Sequence, residues 1–165
     1  MIVTTNIKQT TISKKISLNG VGLHTGKDVT LTFVPSTADI GYVFKRVDLE
    51  NSPTIQADIK YVSSTDRGTC LNKNGLIIQT CEHVLAALVG SEIDNVIIEL
   101  NESEPPIMDG SAKFFVDALK KAGVKQLDAK RREFIVKRVI SFKDENTGSE
   151  LSLIHISEPT RLRSI

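Results

Sequence analysis

The spacing of apolar residues changes once along the chain, and that change restricts the fold more than any figure of composition. In the first half, Val29, Leu31 and Phe33 alternate with Thr30 and Thr32, while Ile12, Ile16 and Leu18 share one parity with Lys14. Alternation of this kind predicts half-buried strands, at residues 11–18 and around 29–33. Past residue 79 the spacing becomes helical. Val84, Ala87 and Leu88 share one face of a helix predicted over residues 81–89, and Phe114, Phe115, Ala118 and Leu119 share one face of a second, over residues 112–122. A strand at 95–100 lies between them, and its run Val96-Ile97-Ile98 reads as burial on both faces. Strands followed by two helices with one strand between them predict an α+β fold, a two-layer sandwich of a mixed or antiparallel sheet covering the inner faces of two helices.

Turn chemistry fills in the rest. Gly20-Val21-Gly22-Leu23-His24-Thr25-Gly26 holds three glycines in seven residues and reads as a tight connection between two antiparallel strands. Residues 41–47 and 54–57 are strands, the latter after Pro53; residues 68–71 and 76–78 flank the turn Asn72-Lys73-Asn74-Gly75 as a hairpin. Thr80 is the expected cap of the first helix and Gly90 its stop; Ser111 caps the second, which ends at Gly123. Lys130-Arg131-Arg132 reads as a solvated turn before a last strand at residues 134–142.

Charge excludes some functions. Twenty-one Lys and Arg against 20 Asp and Glu give +1, with the charges scattered, so nothing draws nucleic acid or anionic lipid by charge alone. No apolar run approaches a membrane span and the start lacks the pattern of a signal peptide, so a cytoplasmic protein is expected. Cys70 and Cys81 have neither a disulfide framework nor C-x-x-C spacing and are expected to be reduced, buried thiols.

Glu82-His83 opens the first helix directly after a strand, which projects first-turn side chains past the sheet end. A neutral imidazole can bind zinc, and a carboxylate beside a zinc-bound water can take its proton and later return it to a leaving amine. The dipeptide alone also fits a helix-start carboxylate and a hydrogen-bonded histidine without catalytic role. His24 is the second polar candidate, and a turn residue is its bland reading. Asp109-Gly110-Ser111 follows Pro105-Pro106-Ile107-Met108 and fits a turn and a helix cap. Catalytic zinc needs three protein ligands, and residues 1–150 contain no H-x-x-x-H or H-x-x-E-H to accompany His83.

Four blocks taken together, Gly20-Val21-Gly22-Leu23-His24-Thr25-Gly26, Thr80-Cys81-Glu82-His83-Val84-Leu85-Ala86-Ala87-Leu88, Ile93-Asp94-Asn95 and Pro106-Ile107-Met108-Asp109-Gly110-Ser111, closely resemble the N-terminal domain of the UDP-3-O-acyl-N-acetylglucosamine deacetylases. These are the zinc hydrolases of lipid A synthesis, which supplies the lipopolysaccharide of Gram-negative bacteria. The resemblance runs over residues 8–142, with the blocks in the family's order. It implies two similar α+β domains with the active site at their junction, of which this chain has the first. It implies that Glu82 is the general base and acid, that His83 is one ligand of Zn2+, and that a His and an Asp from an H-K-x-x-x-D segment absent here complete the site. His24 matches a residue near the active site linked to metal or substrate contact. The implied reaction is hydrolysis of the N-acetyl group of UDP-3-O-(3-hydroxyacyl)-N-acetylglucosamine: zinc polarises the acetamide carbonyl and its bound water, Glu82 deprotonates that water, and acetate and a free amine leave. A fused hydroxyacyl dehydratase domain follows in some relatives. The implied partners are the UDP-sugar lipid and the second domain of the same polypeptide. Cys81 stands where an aliphatic residue is common and is expected to behave as a small buried hydrophobe. The alternative to the enzyme is a non-catalytic α+β binding or interaction module.

The end of the chain breaks the resemblance. Leu151-Ser152-Leu153-Ile154-His155-Ile156-Ser157-Glu158-Pro159-Thr160-Arg161 is similar to a translated transposase-type sequencing-library adapter. The expected division is therefore a deacetylase domain at 1–143, the start of an interdomain segment at 144–150 and a non-native tail at 151–165. With one ligand, the chain by itself is expected to bind zinc poorly and not to deacetylate.

Overall fold

A computed structural model describes residues 2–136 and 138–153. The chain divides into two compact units, one of Lys8–Ala129 and one of the described residues of Met1–Ile7 and Lys130–Ile165. The larger unit carries a five-stranded mixed sheet built from β2 (Ile16–Val21), β3 (Asp28–Pro35), β4 (Tyr42–Arg46), β5 (Thr54–Gln56) and β9 (Val96–Leu100), in the order β2-β3-β9-β4-β5. β9 is antiparallel to β3 and parallel to β4. Register aligns Ile16, Phe33, Ile98, Phe44 and Ile55 in one row across all five strands. The last four are fully buried. This is the face that alternation with Thr30 and Thr32 predicts for β3, since successive side chains of a strand point to opposite sides. β9 alternates in the same way: Val96, Ile98 and Leu100 are buried, and Ile97 and Glu99 are half-buried.

A second sheet, of β6 (Val62–Ser64), β7 (Cys70–Lys73) and β8 (Leu76–Ile78), follows a 3-10 turn at Ile59–Tyr61. Its β7–β8 hairpin pairs Lys73 with Leu76 across Asn74-Gly75, as the turn sequence predicts. β1 (Ile2–Ile12) and β10 (Val124–Phe134) form a two-stranded ladder, and β11 (Ile140–Lys143) pairs with β12 (Glu150–Leu153). Helices α1 (Glu82–Gly90) and α2 (Lys113–Ala122) pack on each other, with α2 also on β2. The architecture is α+β, as expected. Among the described residues no helix is long and apolar enough to cross a membrane.

Several local expectations change. The predicted strand at 11–18 is two strands separated by exposed Ser13, Lys14 and Lys15. The predicted strand at 134–142 is the end of β10 and the start of β11, and Lys130-Arg131-Arg132 belongs to β10 rather than to a turn. Long cationic side chains suit strands with a solvated face. Thr80 does not cap α1: Cys81 is the N-cap residue and makes no side-chain cap bond. Gly90 ends the helix from inside, and Glu92 rather than glycine takes the left-handed conformation after it, at φ 55°. Ala112, not Ser111, is the N-cap residue of α2, although the Ser111 hydroxyl still accepts the Lys113 N–H at 3.2 Å. Phe114 is 43% exposed, whereas Phe115, Ala118, Leu119 and Ala122 make the buried face.

The Ile93-Asp94-Asn95 block has a structural explanation. Asn95 is buried, and its side-chain oxygen accepts the N–H groups of Ile40 and Gly41, both at 3.0 Å, while its amide donates to Gln9 Oε1 at 2.9 Å and to the Thr10 carbonyl at 3.4 Å. Asp94 accepts the Thr10 N–H at 2.8 Å. One side chain thus satisfies backbone donors entering β4 and ties β1 to the start of β9, where secondary structure leaves those groups unpaired.

Candidate active site

The centre of the site is the junction between β8 and α1. Thr80 sits there at φ 48°, a left-handed conformation uncommon for a β-branched residue. Cys81 and Glu82 follow, so Glu82 occupies the first turn of α1, where the helix dipole favours a carboxylate. Its Oε2 accepts the Thr69 N–H at 3.0 Å. A Cβ at Gly68 would lie 3.3 Å from Glu82 Oε1 and 3.4 Å from the Thr80 hydroxyl. Glycine at 68 therefore lets the chain before β7 run close against the carboxylate. His83 is half-buried, and among the described residues its ring makes no hydrogen bond. Successive helical residues point about 100° apart, so Glu82 and His83 diverge from one helix end.

The loop between β2 and β3 closes with Gly22 N–H donating to the Lys27 carbonyl and Gly26 N–H to the Gly22 carbonyl, both at 3.0 Å. It carries His24, an exposed residue whose Nε2 lies 3.3 Å from the Arg67 carbonyl. Residues 67–69 therefore touch both candidates, the His24 ring through Arg67 and the Glu82 carboxylate through Thr69. A cleft of about 190 Å3 is lined by His24, Arg67, Gly68, Cys70 and Thr80 among others, and His83 is not part of its wall. The structure thus brings His24 and Glu82 to one stretch of backbone, though neither Glu82 nor His83 lines that cleft.

One residue of the site escapes sequence reading. Glu104 is completely buried. Its carboxylate accepts the N–H groups of His24, at 3.0 and 3.2 Å to its two oxygens, and of Thr25 at 2.9 Å, and the Thr80 hydroxyl at 2.8 Å. Burial raises its pKa, but the hydrogen bonds from Thr25, Thr80 and His24 outweigh burial and hold the carboxyl below the usual glutamate range. The only sequence signal is an acid directly before Pro105-Pro106, which does not separate a buried carboxylate from a solvated one.

The other polar candidates are structural. Asp109 accepts the Ser111 hydroxyl at 2.7 Å and N–H at 3.0 Å, bonds that hold its carboxyl low and close the turn into α2. Cys81 is buried, and desolvation first, with the negative Glu82 second, pushes its thiol up to about 12. Buried, with its Sγ 3.5 Å from the Thr69 carbonyl, it fits the small buried hydrophobe expected. Cys70 is half-buried rather than buried, and both cysteines are free. His155 lies outside the described residues.

Among the described residues no three His, Cys, Asp or Glu side chains converge on a point where they could hold an ion. His83 and Glu82 alone do not make a metal site.

The sequence pattern of the UDP-3-O-acyl N-acetylglycosamine deacetylases matches residues 9–158. The chain belongs to that family. It is 44% identical over 148 residues to the bifunctional enzyme LpxC/FabZ of Bacteroides thetaiotaomicron, covering 90% of this chain and 32% of that protein. It is also 44% identical over 147 residues to the UDP-3-O-acyl-N-acetylglucosamine deacetylase of Blochmanniella floridana, covering 88% of this chain and 49% of that one. The Cellvibrio japonicus deacetylase is 44% identical over 138 residues, 84% of this chain and 46% of the relative. This member of the deacetylase family therefore spans half or less of the length of these relatives. The Glu82-His83 pair lies at a helix start whose neighbours are fixed by hydrogen bonds, that of Thr80 to Glu104 buried and that of Thr69 to Glu82 partly so.

Proposed function

We propose that this chain is the part of a zinc-dependent UDP-3-O-acyl-N-acetylglucosamine deacetylase that supplies its general base and one metal ligand. Glu82 is the base and acid, His83 is one ligand, and His24 contacts substrate or lies beside it. One imidazole does not hold an ion, so the remaining ligands belong to the length of the relatives that this chain does not span.

The observation that carries this reading is the state of Glu82. Its Oε2 is held by the Thr69 N–H, while Oε1 faces the bare backbone of Gly68. A carboxylate fixed by one oxygen keeps the other for a proton without losing its orientation. In amide hydrolysis it takes a proton from the attacking water as the C–O bond forms, then delivers it to the amine nitrogen as the C–N bond breaks. Acetate and a free glucosamine amine are the products. Glu82 thus carries one of the water's two protons to the nitrogen, and the second, left on the new carboxyl group, passes to the amine or to solvent as acetate forms.

The full-length gene product, given UDP-3-O-(3-hydroxyacyl)-N-acetylglucosamine, is expected to release acetate, to lose this activity on chelation and to recover it with zinc. A zinc-loaded, folded protein that releases no acetate contradicts the reading.

A further inference from the structure

Two elements of the site lie far apart in sequence, the His24 loop and the start of α1, and one side chain joins them. Glu104 takes two backbone N–H groups from the loop, at His24 and Thr25, and the hydroxyl of Thr80, two residues before Glu82. It also follows Ser103, whose carbonyl accepts the Gln79 N–H at 2.8 Å, so the backbone just before Thr80 and the Thr80 side chain are tied to the same segment. A carboxylate withdrawn from water is costly unless donors surround it, and here the donors are the groups whose position matters.

The surroundings are built to admit this carboxylate. A Cβ at Gly22 would lie 2.7 Å from Glu104 Oε2 and would collide with the Thr25 hydroxyl. Gly22 therefore leaves room for the acid at the base of the loop. Thr80 holds its left-handed backbone at φ 48° with its hydroxyl turned to Glu104 instead of to the helix end. An ordinary threonine cap would have bonded an α1 N–H. The exchange sacrifices the cap and fixes the direction from which Glu82 enters the helix.

We infer that Glu104 is a positioning residue, holding the His24 loop and the start of α1 in one arrangement for the reaction; the inference rests on the deacetylase reading given above. It touches neither substrate nor the reacting atoms, and acts through His24 and Thr80.

The test uses the full-length gene product with Glu104→Gln, Thr80→Val and Thr80→Ser, read by hydrogen exchange of residues 20–27 and by steady-state acetate release. Gln keeps the shape but offers a single acceptor oxygen to three donors. Val keeps the β-branch without the hydroxyl, and Ser keeps the hydroxyl. Glu104→Gln is expected to speed exchange of the His24 and Thr25 amides about tenfold or more and to lower kcat about 10- to 100-fold, with KM within about twofold of wild type. Thr80→Val should lower kcat in the same way and Thr80→Ser should restore it, a comparison that still decides the matter if Glu104→Gln fails to fold. Unchanged amide exchange, or faster exchange with wild-type kcat, overturns the inference. A wild-type protein without acetate release overturns the deacetylase reading and this inference together, whereas an active wild type indifferent to Glu104→Gln and Thr80→Val overturns this inference alone.

Discussion

Glu82→Ala in the full-length gene product is expected to lower kcat for deacetylation by about 100-fold or more, the range that loss of a general acid and base produces, while zinc stays bound. The argument follows from what the side chain does on the page. It accepts the Thr69 N–H through one oxygen, and its other oxygen lies against Gly68 in the first turn of α1. Alanine removes both functions. Glu82→Gln separates them, because an amide oxygen can keep the Thr69 bond but cannot take a proton from water. Both variants should therefore be slow, with KM little changed. Near-wild-type turnover by Glu82→Ala would refute the base, and a fast Glu82→Gln would show that only the Thr69 contact mattered.

Asn95→Leu is expected to destabilise the protein by about 2 kcal/mol, because two partly buried N–H groups, those of Ile40 and Gly41, lose their acceptor, toward the lower end of about 1–3 kcal/mol for each orphaned group. Leucine keeps the branch at Cγ but is bulkier, so overpacking at this buried position adds to the loss. The Asn95 amide also reaches Gln9 Oε1, which accepts the Asp39 N–H at 3.0 Å. The damage should therefore spread to the approach to β4. Urea unfolding with the slope compared between variants is the measurement. A loss below about 1 kcal/mol would mean that the Asn95 bonds are replaced by water and do not hold the fold.

Legibility in the sequence followed the range of the interactions involved. Alternation locates β3, whose Phe33 is buried while Thr32 and Val34 stay partly solvated; the run Val96-Ile97-Ile98 locates β9 but suggests burial on both faces, whereas Ile97 is only half-buried. β1 was seen only at its end. Its Ile2 and Ile7 are exposed and its centre is polar, so it has no apolar face to announce it, and its pairing with β10 is set more than a hundred residues away. The same distance hid the strand character of Lys130-Arg131-Arg132.

The caps failed for a related reason. Thr80 satisfies every local rule for capping α1, yet its hydroxyl is taken by a carboxylate 24 residues later. Glu104 itself has the composition of a surface residue, and only the donors of His24, Thr25 and Thr80 make it a buried one. Glu82 and His83 were legible as a pair, but their meaning depended on the four ordered blocks rather than on the dipeptide.

Zinc analysis of the full-length gene product and its His83→Ala variant probes the account most directly. The wild type is expected to carry about one zinc per chain, as a site with three protein ligands does, and His83→Ala to retain only a small fraction of it. Glu82→Ala, purified alongside, should keep the metal. Undiminished zinc in folded His83→Ala would contradict the account, since the α1 imidazole would then have no part in holding the ion.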